Sequence, residues 1–360
     1  MNSEKLQKLV FWVAEVDEND NDIVGKKCAN LGRMARLGFQ VPPSFMISIE
    51  ACRKFMHETG ARAEIDRYVR KTCDPKDWGI KELEERSRDI QDIIKSKAMP
   101  ADLKQEIVSH CHTLLGETDV AVSVRSSGAE SRPGMFATYL NVKGEADILR
   151  KTIDVWASAF ETRAISYRIS KGIPFDADNL GVAVVKMVNA RAAGVSFSMH
   201  PVTRDATKIV IESIWGLGEG VVKGTESVDR FLLNKNTLEI LEKQIGKKEK
   251  CVISTEGGIK WEDVPSDKQN IASLSNEEMK YVANLAKMLE EKLECPQDTE
   301  WAIEEGAPFP TNIYLLQTRP AKITVDTSSS ILDRMVEDVL RVHSNIDVSK
   351  IKPPKDIKLH

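Results

Sequence analysis

The order of strands and helices predicted from the sequence indicates an α+β protein. Short runs rich in β-branched residues, at 120–124, 182–188 and 209–211, predict strands, whereas residues 47–115 are highly charged and have helical periodicity. Strands and helices follow one another irregularly, without a repeating strand–helix–strand unit. A mixed fold with a helical region near the N-terminus therefore fits the sequence better than a repeating parallel α/β fold.

The first elements are a glycine-containing loop, a short helix and a strand. Gly25 precedes Lys26 and Lys27 at the start of a predicted helix that Gly38 ends, and the apolar stretch 45–47 predicts a strand. Glycine beside a cation lets backbone N–H groups approach phosphate oxygens while the cation neutralises their charge. The loop is one candidate phosphate site, although such a loop on its own is usually a turn with a solvated lysine.

A polar loop between two strands is the second candidate phosphate site. The run 120–124 ends at Arg125, the loop passes through Gly134, and an extended pattern resumes at 139–142. An arginine where an apolar strand meets a Ser-Ser-Gly loop is placed to project into a cleft. The alternative is an ordinary surface salt bridge, worth at most about 1 kcal/mol.

The middle of the chain predicts one helix, further strands and a third glycine-rich turn. Residues 153–169 have helical spacing, residues 195–197 predict a strand, and the strand 209–211 leads into the turn 216–220 and Lys223. None of the three candidate phosphate sites has the G-x-x-x-x-G-K-[ST] spacing of a P-loop. A P-loop NTPase is therefore not predicted.

A hairpin at 231–240 and an amphipathic helix at 276–294 precede the last pair of predicted strands. Glu300 and Gln317 lie on these two short strands, which we expect to pair, and Arg319 follows on the same face as Gln317. Carboxylate and amide oxygens suit Mg²⁺, and a neighbouring arginine can offset charge on a transferring phosphoryl group. On spacing alone, an ordinary polar hairpin face is the simpler interpretation.

Composition and charge exclude several classes of protein. The 360 residues include 51 Lys and Arg against 55 Asp and Glu, a net charge of -4, which gives no general attraction to nucleic acid or to an anionic membrane. The six cysteines are scattered without a C-x-x-C pair, which predicts reduced thiols. No apolar run approaches the roughly 18 residues of a membrane span. A soluble, cytoplasmic protein is expected.

Taken in order, the motifs resemble the N-terminal nucleotide-binding domain of the family that contains phosphoenolpyruvate synthase, pyruvate phosphate dikinase and rifampicin phosphotransferase. The resemblance extends from about residue 24 to residue 320. The motifs that carry it are VGKKCANLG, VPPSF, AVSVRSSGAE, PGMFATYLNV, RAISYR, KMVNARAAGVSFSMHPVT, IESIWGLGEGVVKG, DRF, DTEWAI and LLQTRP.

This resemblance implies an ATP-grasp fold, in which two lobes with mostly antiparallel sheets clamp ATP, together with a helical N-terminal subdomain. It also implies the residues of the phosphate end. Lys27, Arg125 and Arg319 correspond to the catalytic cations: the first two contact phosphate, and the third acts on the phosphoryl group being removed. Glu300 and Gln317 correspond to the ligands of Mg²⁺.

The rest of the implied nucleotide site comes from three further segments. The PGMFAT loop, with Gly134 and Thr138, corresponds to a flexible cover over the phosphates. A hinge is implied to take the adenine ring, largely through backbone groups, and two acidic residues near the glycine turn have no assigned role. These hinge and acidic residues are Lys186, Met187, Val188, Glu212 and Glu219.

Two residues depart from the pattern of the family. Lys26 stands where a second glycine is usual, which bears on the flexibility of the first loop. Val185 stands where the synthases often have glutamine, which bears on a polar contact to the nucleotide. Neither departure removes a charged position that the resemblance makes catalytic.

The predicted domains are an N-terminal lobe with a helical insertion at 1–118, an ATP-grasp core at 119–325, and a linker, helix and tail for partner docking at 326–360. Members of the family pass a phosphoryl group from ATP to a histidine on a swivelling domain, which follows a glycine-rich stretch. None of the six histidines here follows such a stretch. The expectation is a Mg²⁺- and ATP-dependent phosphotransferase whose separate partner subunit carries the phosphorylatable histidine and the acceptor site.

Three alternatives stay open for the whole reaction. The layout is similar to the stand-alone ATP-binding subunit of phenylphosphate synthase, which implies that ATP, phenol and water give phenyl phosphate, AMP and phosphate. The second is a split or excised nucleotide-binding domain of phosphoenolpyruvate synthase (pyruvate, water dikinase) or of rifampicin phosphotransferase. The third is an ATP-sensing regulatory subunit, against which the full set of phosphoryl-transfer residues argues.

Overall fold

Two antiparallel sheets organise the part of the chain that the structure describes. The computed structural model describes residues 3–72, 74–116, 120–130, 132, 134–175, 179–219, 227–255 and 258–321. The predicted linker, helix and tail at 326–360, and the end of the third glycine turn with Lys223, lie outside these residues.

Among the described residues, the first part of the chain supplies seven α-helices and two strands. They are α1 Ser3–Gln7, β1 Val10–Trp12, α2 Asn21–Val24, α3 Lys26–Arg36, β2 Ser44–Ile47, α4 Ile49–Glu58, α5 Ala61–Arg70, α6 Ile80–Lys95 and α7 Ala101–Leu115. The predicted helical region is thus confirmed as α4 to α7. The Ser48 hydroxyl caps α4 by accepting from the Ala51 amide at 3.1 Å, which fixes where the region begins.

In the described middle of the chain there are three strands and two α-helices. They are β3 Val122–Ser127, β4 Thr138–Val142, α8 Glu145–Ala157, α9 Thr162–Lys171 and β5 Gly181–Lys186. The strand predicted at 120–124 in fact continues to Ser127, because Arg125 pairs with Ala183 of β5 and the pairing extends to the end of β3. Arg125 therefore lies inside the sheet and not at the start of a loop.

The single helix predicted at 153–169 is wrong, since this stretch contains parts of two helices. A 3-10 turn, Ser158–Phe160, separates α8 from α9. The Ser158 hydroxyl donates to the Val155 carbonyl at 2.6 Å and accepts from the Ala137 amide at 3.0 Å, which ties the turn to the segment before β4. These local hydrogen bonds compete with helix continuation, and periodicity does not reveal them.

Among the described residues, the last part of the chain supplies eight strands and a long helix. They are β6 Ala190–Phe197, β7 Lys208–Trp215, β8 Asp229–Asn234, β9 Ile240–Gln244, β10 Lys250–Thr255, β11 Gly258–Asp263, α10 Asn276–Leu293, β12 Gln297–Glu304 and β13 Ile313–Pro320. The predicted hairpin at 231–240 and helix at 276–294 are confirmed. Ser275 and Glu278 form a reciprocal capping box that begins α10.

The first sheet has five strands in the order β1-β2-β5-β3-β4, and all neighbours are antiparallel. Its core is shared with the helices of the helical region, through side chains such as Phe55 and Ile107, and with α8 through Trp156. Because β1 and β2 precede residue 118 and β3 to β5 follow it, the sheet contains strands from both sides of the predicted domain boundary.

The second sheet has six strands in the order β13-β12-β6-β7-β8-β9, again antiparallel throughout. Helix α10 covers one face with Met279, Val282, Ala286 and Leu289, which are buried at helical spacing. The opposite face of β6 and β12 is left for the space between the two sheets. The mixture of helices with antiparallel sheets confirms the predicted α+β class. Among the described residues, the helices lack the combination of length and apolar character that crossing a bilayer requires.

Candidate nucleotide-binding site

A cleft lies where the two sheets face each other, and strands of both sheets line it. The space between its walls is about 760 Å³, part of which is open solvent. The polar and charged side chains that line it include Ser123, Arg125, Thr138, Lys186, Glu219 and Glu300. The cleft thus gathers residues that lie far apart in the sequence.

Part of the cleft lining is an apolar wall to which both sheets contribute. Val185 and Val188 contribute from the first sheet and the hinge, Ala193 from β6, Ala302 from β12 and Leu316 from β13. A flat aromatic ring can replace water against such a wall, because burying apolar surface is favourable. Val185, the departure from the family's pattern, is almost fully buried and adds to this wall.

The hinge that joins the sheets runs from Lys186 to Ala190. The amide of Lys186 donates to the Pro43 carbonyl at 2.9 Å, and the amide of Met187 donates to the Ala121 carbonyl at 2.9 Å. These two donors therefore fix the hinge to its neighbours. Contacts to a base from this segment must come from its other backbone groups and from the side chains that line the cleft.

The N-terminus of α3 is locked against the end of β3. The amide of Lys26 donates to the Gly128 carbonyl at 2.8 Å, and the amide of Cys28 donates to the Ser127 hydroxyl at 3.1 Å. Gly25 has φ +83°, and a Cβ atom there would lie 2.1 Å from the Ser127 carbonyl oxygen. Only glycine permits this close approach, which places Lys27 beside Arg125.

Lys27 is a partly buried lysine in a crowded electrostatic setting. Burial and the Arg125 guanidinium, with a smaller contribution from Arg319, lower the pKa of Lys27 to about 8, although Glu300 acts in the opposite direction. Desolvation and like charges both disfavour an ammonium ion. An anion bound here would relieve both effects, so this cluster of cations is electrostatically prepared for phosphate.

Arg125 reaches from the first sheet to the second. Its Nη2 atom lies 3.6 Å from Glu300 Oε2 and donates to Gln317 Oε1 at 3.4 Å. Glu300 and Gln317 are direct partners in the β12–β13 pairing, and Gln317 Nε2 donates to Glu300 Oε1 at 3.3 Å. The predicted pairing of these strands is confirmed, and it brings the carboxylate and the amide to one place.

Arg319 lies one step further along β13 on the same face as Gln317. Its Nε and Nη2 atoms lie 2.6 Å from Asp298 Oδ2, and Asp298 is its partner in the strand register. The carboxylate holds the guanidinium by a charge-assisted hydrogen bond from Nε and an ion pair with Nη2. Asp298 was not predicted, although its place two residues before Glu300 puts it on the same face of β12, and that signal was available in the sequence.

Three of the predicted nucleotide-binding residues, Lys27, Gly134 and Glu212, are not among the described residues that line the cleft, although Lys27 lies close enough to Arg125 and Glu300 to feel their charges. Gly134 is exposed in the loop before β4, where its φ of +68° favours glycine. Glu212 on β7 pairs with Arg230, whose Nη2 atom lies 2.5 Å from its Oε1 atom. Thr138 and Glu219, by contrast, do line the cleft.

The donor set around Glu300 fits a divalent cation that takes most of its ligands elsewhere. Mg²⁺ prefers oxygen ligands and commonly uses one or two protein side chains with substrate phosphates. For Glu300 and Gln317 both to offer an oxygen atom to the ion, the Gln317 side-chain amide must turn so that Oε1 faces Glu300 in place of Nε2. Within the described residues, no group of three or more His, Cys, Asp and Glu side chains is gathered for a metal.

Comparison with known proteins decides the family. The model of the family described as pyruvate phosphate dikinase, AMP/ATP-binding domain, matches residues 21–338. The chain belongs to this family. The two antiparallel sheets around the cleft of this dikinase nucleotide-binding domain are accordingly ATP-grasp-like.

Curated relatives of the dikinase nucleotide-binding domain are phosphoenolpyruvate synthases. It is 38% identical over 323 residues to the probable phosphoenolpyruvate synthase of Methanocaldococcus jannaschii, covering 87% of this chain and 26% of that protein. It is 37% identical over 355 residues to the phosphoenolpyruvate synthase of Aeropyrum pernix, covering 88% of this chain and 43% of that protein. The chain therefore spans less than half the length of these relatives.

Proposed function

We propose that this dikinase nucleotide-binding domain cleaves Mg-ATP and passes a phosphoryl group to a histidine carried by a separate partner. ATP and water are consumed, and phosphohistidine, AMP and phosphate are formed. One observation carries the proposal: Arg125 of the first sheet meets Glu300 and Gln317 of the second, with Lys27 beside them. The convergence of cations with a metal-binding pair from distant segments is what phosphoryl transfer requires.

The residues of the chain divide the task by position. The apolar wall and the hinge take the base, while Lys27 and Arg125 hold phosphate oxygens at the junction of the sheets. Arg319, fixed by Asp298, is directed to the phosphoryl group that leaves ATP, where it stabilises the charge that develops. Mg²⁺ held by Glu300 and Gln317 would supply further neutralisation of phosphate charge.

The final acceptor is decided by the partner and not by the cleft. The names of the relatives support pyruvate, and hence the second alternative, a nucleotide-binding part of a phosphoenolpyruvate synthase. Phenol, implied by the layout of phenylphosphate synthase, is the other acceptor to be compared. The separate partner, the role of Mg²⁺ and a cytoplasmic location belong to the same proposal.

Transfer of label from ATP to a histidine tests the proposal. The purified chain is incubated with ATP labelled in the β-phosphate, Mg²⁺ and a histidine-bearing domain of a phosphoenolpyruvate synthase or of phenylphosphate synthase. We expect acid-labile, base-stable label on the partner and AMP in solution. The partner that takes the label from this chain indicates the acceptor, and pyruvate or phenol is then added to test whether that labelled partner passes the label on.

Two results would contradict the proposal. Tight ATP binding with no AMP formed alongside any partner would favour the ATP-sensing alternative. AMP formation with label on a residue other than histidine would refute the transfer step. Arg125→Ala serves as the negative control, because it removes the contact between the sheets.

A further inference from the structure

The β10–β11 hairpin is an element outside the hinge that is attached to both walls of the cleft. β10 and β11 pair over their whole length, from the Lys250–Asp263 pair to the Thr255–Gly258 pair. The hairpin forms a sheet of its own and belongs to neither large sheet. Its contacts therefore determine which parts of the protein it connects.

One end of this connection is the segment that follows β7. The amide of Leu217 donates to the Val252 carbonyl of β10 at 2.8 Å, and Gly216 forms a bridge with the same residue. Gly216 has φ +73°, and a Cβ atom there would lie 2.4 Å from the Val252 oxygen. Leu217 and Glu219 line the cleft, so β10 holds one wall of it in place.

The other end is the side chain of Asn141 on β4. Its Nδ2 atom donates to the Thr255 carbonyl and, at 2.9 Å, to the Gly258 carbonyl, the two residues that close the described hairpin. Thr138 and Leu140, just before Asn141 on the same strand, line the cleft from the first sheet. The amide thus joins the second wall to the hairpin.

The backbone at Asn141 is shaped for this contact. Its φ is +56°, a conformation that asparagine tolerates better than most residues. The register between β3 and β4 shifts in this stretch, between Val122 and Val124, and such irregularities re-aim a side chain. Asn141 is only 7% exposed, and its side-chain amide donates to two hairpin carbonyls in this buried position.

We propose that Asn141 is a positioning residue that ties the two walls of the nucleotide cleft together through the β10–β11 hairpin. The tie keeps residues 217–219 against a nucleotide that Thr138 and Leu140 contact from the other side. It acts on how long ATP stays in the cleft and not on the chemical step. The inference rests on the proposed function only in taking ATP as the ligand.

Asn141→Gly is the first test, because glycine adopts the same backbone conformation without strain while the side-chain amide that donates to the hairpin is lost. We expect ATP to dissociate roughly tenfold faster from the variant, a change of about 1.4 kcal/mol in binding, and the dissociation constant to rise by the same factor. The matched control is Asn236→Gly in the exposed β8–β9 turn, which should leave both quantities unchanged.

Amide hydrogen exchange supplies a readout that does not depend on ATP. In Asn141→Gly we expect faster exchange at 250–255 and at residue 217 in the ligand-free protein, with the exchange of α10 unchanged. Asn141→Asp is the second variant. It keeps the shape of the side chain but places a carboxylate against two carbonyl oxygens, so the backbone amides of the hairpin should exchange still faster. If the glycine variant fails to fold, the aspartate variant decides the question.

The outcomes separate the two proposals. If the wild type binds no ATP, the proposed function fails. Hydrogen exchange alone then decides whether Asn141 connects the two walls through the hairpin. If the wild type binds ATP and the Asn141 variants match it in dissociation rate and in hairpin exchange, the tie is refuted while the proposed function stands. Faster exchange at the hairpin together with faster loss of ATP supports the tie.

Discussion

Lys27 has an unusual charge state for a lysine in the ligand-free protein. Burial and Arg125 lower its pKa to about 8, so a substantial part of the population is neutral at mildly alkaline pH. Phosphate oxygens favour the charged form and should raise the pKa again. Nucleotide binding and proton uptake are therefore coupled at this residue.

The coupling predicts a pH dependence of ATP affinity. Below about pH 8 the lysine is charged before ATP arrives, whereas above it binding must first restore the proton. The affinity for ATP should therefore fall as the pH rises through 8, and ATP binding in this pH range should take up a proton. Calorimetry in buffers of different ionisation enthalpy measures both effects. Lys27→Arg, which keeps its charge, should bind ATP with a flatter pH profile; an equally steep profile in this variant would contradict the assignment.

Arg319→Ala should abolish phosphoryl transfer while ATP affinity stays within roughly tenfold, because the lost contact acts mainly in the transition state. AMP formation with the partner present and equilibrium ATP binding measure the two effects separately. Arg150→Ala, in an exposed ion pair on α8, is the control for removing an arginine. Unchanged turnover in Arg319→Ala would refute the role of Arg319 in phosphoryl transfer.

Glu300→Ala should raise the Mg²⁺ concentration needed for ATP cleavage, because one of the two side-chain oxygen ligands is removed. The measurement is AMP formation against Mg²⁺ concentration. Glu304→Ala on the same strand, where the carboxylate accepts from the Tyr314 hydroxyl at 3.3 Å, controls for strand stability. Full activity of Glu300→Ala at ordinary Mg²⁺ would count against the metal assignment.

At the scale of elements, the junction of α3 with β3 sets the phosphate end of the cleft. Gly25→Ala would push a methyl group into the Ser127 carbonyl, 2.1 Å away, and separate the helix from the strand. Gly60 has a similar φ of +71° with no neighbouring atom within 4 Å. Alanine there meets only backbone strain, roughly 1–2 kcal/mol.

The two glycine variants therefore form a matched pair. Gly60→Ala should lower the free energy of unfolding by that strain alone and leave ATP affinity unchanged. Gly25→Ala should lose more stability and also weaken ATP binding, because Lys27 moves with α3. Urea unfolding and ATP titration distinguish them, and equal behaviour of both variants would show that the close contact is unimportant.

Local signals account for the elements that sequence alone predicted. The β12–β13 hairpin followed from two apolar runs with a turn between them, and the register that joins Glu300 to Gln317 follows from that pairing. The β10–β11 hairpin was missed because β11 is mostly exposed, with Trp261 39% accessible. It therefore lacks the regular apolar alternation by which strands are found.

At the scale of the whole molecule, ATP should stabilise the fold because it binds between the two sheets and contacts both. A ligand that binds only the native state adds about 2.7 kcal/mol at one hundred times its dissociation constant. Mg-ATP should raise the midpoint of thermal unfolding of the wild type. Arg125→Ala should show a much smaller rise at the same concentration, and an equal rise would mean that Arg125 does not hold the nucleotide.

Local sequence patterns do not predict which distant residues come together in the candidate site. Nothing near Lys27 indicates that it lies beside Glu300, since α3 and β12 are separated by most of the chain. The resemblance to a known family supplied that grouping, and it also named Glu212, which the structure places in a pair with Arg230. Contacts between distant segments depend on the packing of whole sheets.

The strand that carries Gln317 and Arg319 is the outermost strand of its sheet. Unpaired edges invite pairing with other molecules and hence aggregation. Here the Leu315 amide donates to the Gln40 carbonyl at 2.9 Å, and the Asn30 side chain donates to the Thr318 carbonyl at 3.0 Å. The segment around α3 that brings Lys27 to phosphate therefore also shields this edge, so loosening α3 should make the protein prone to self-association as well as inactive.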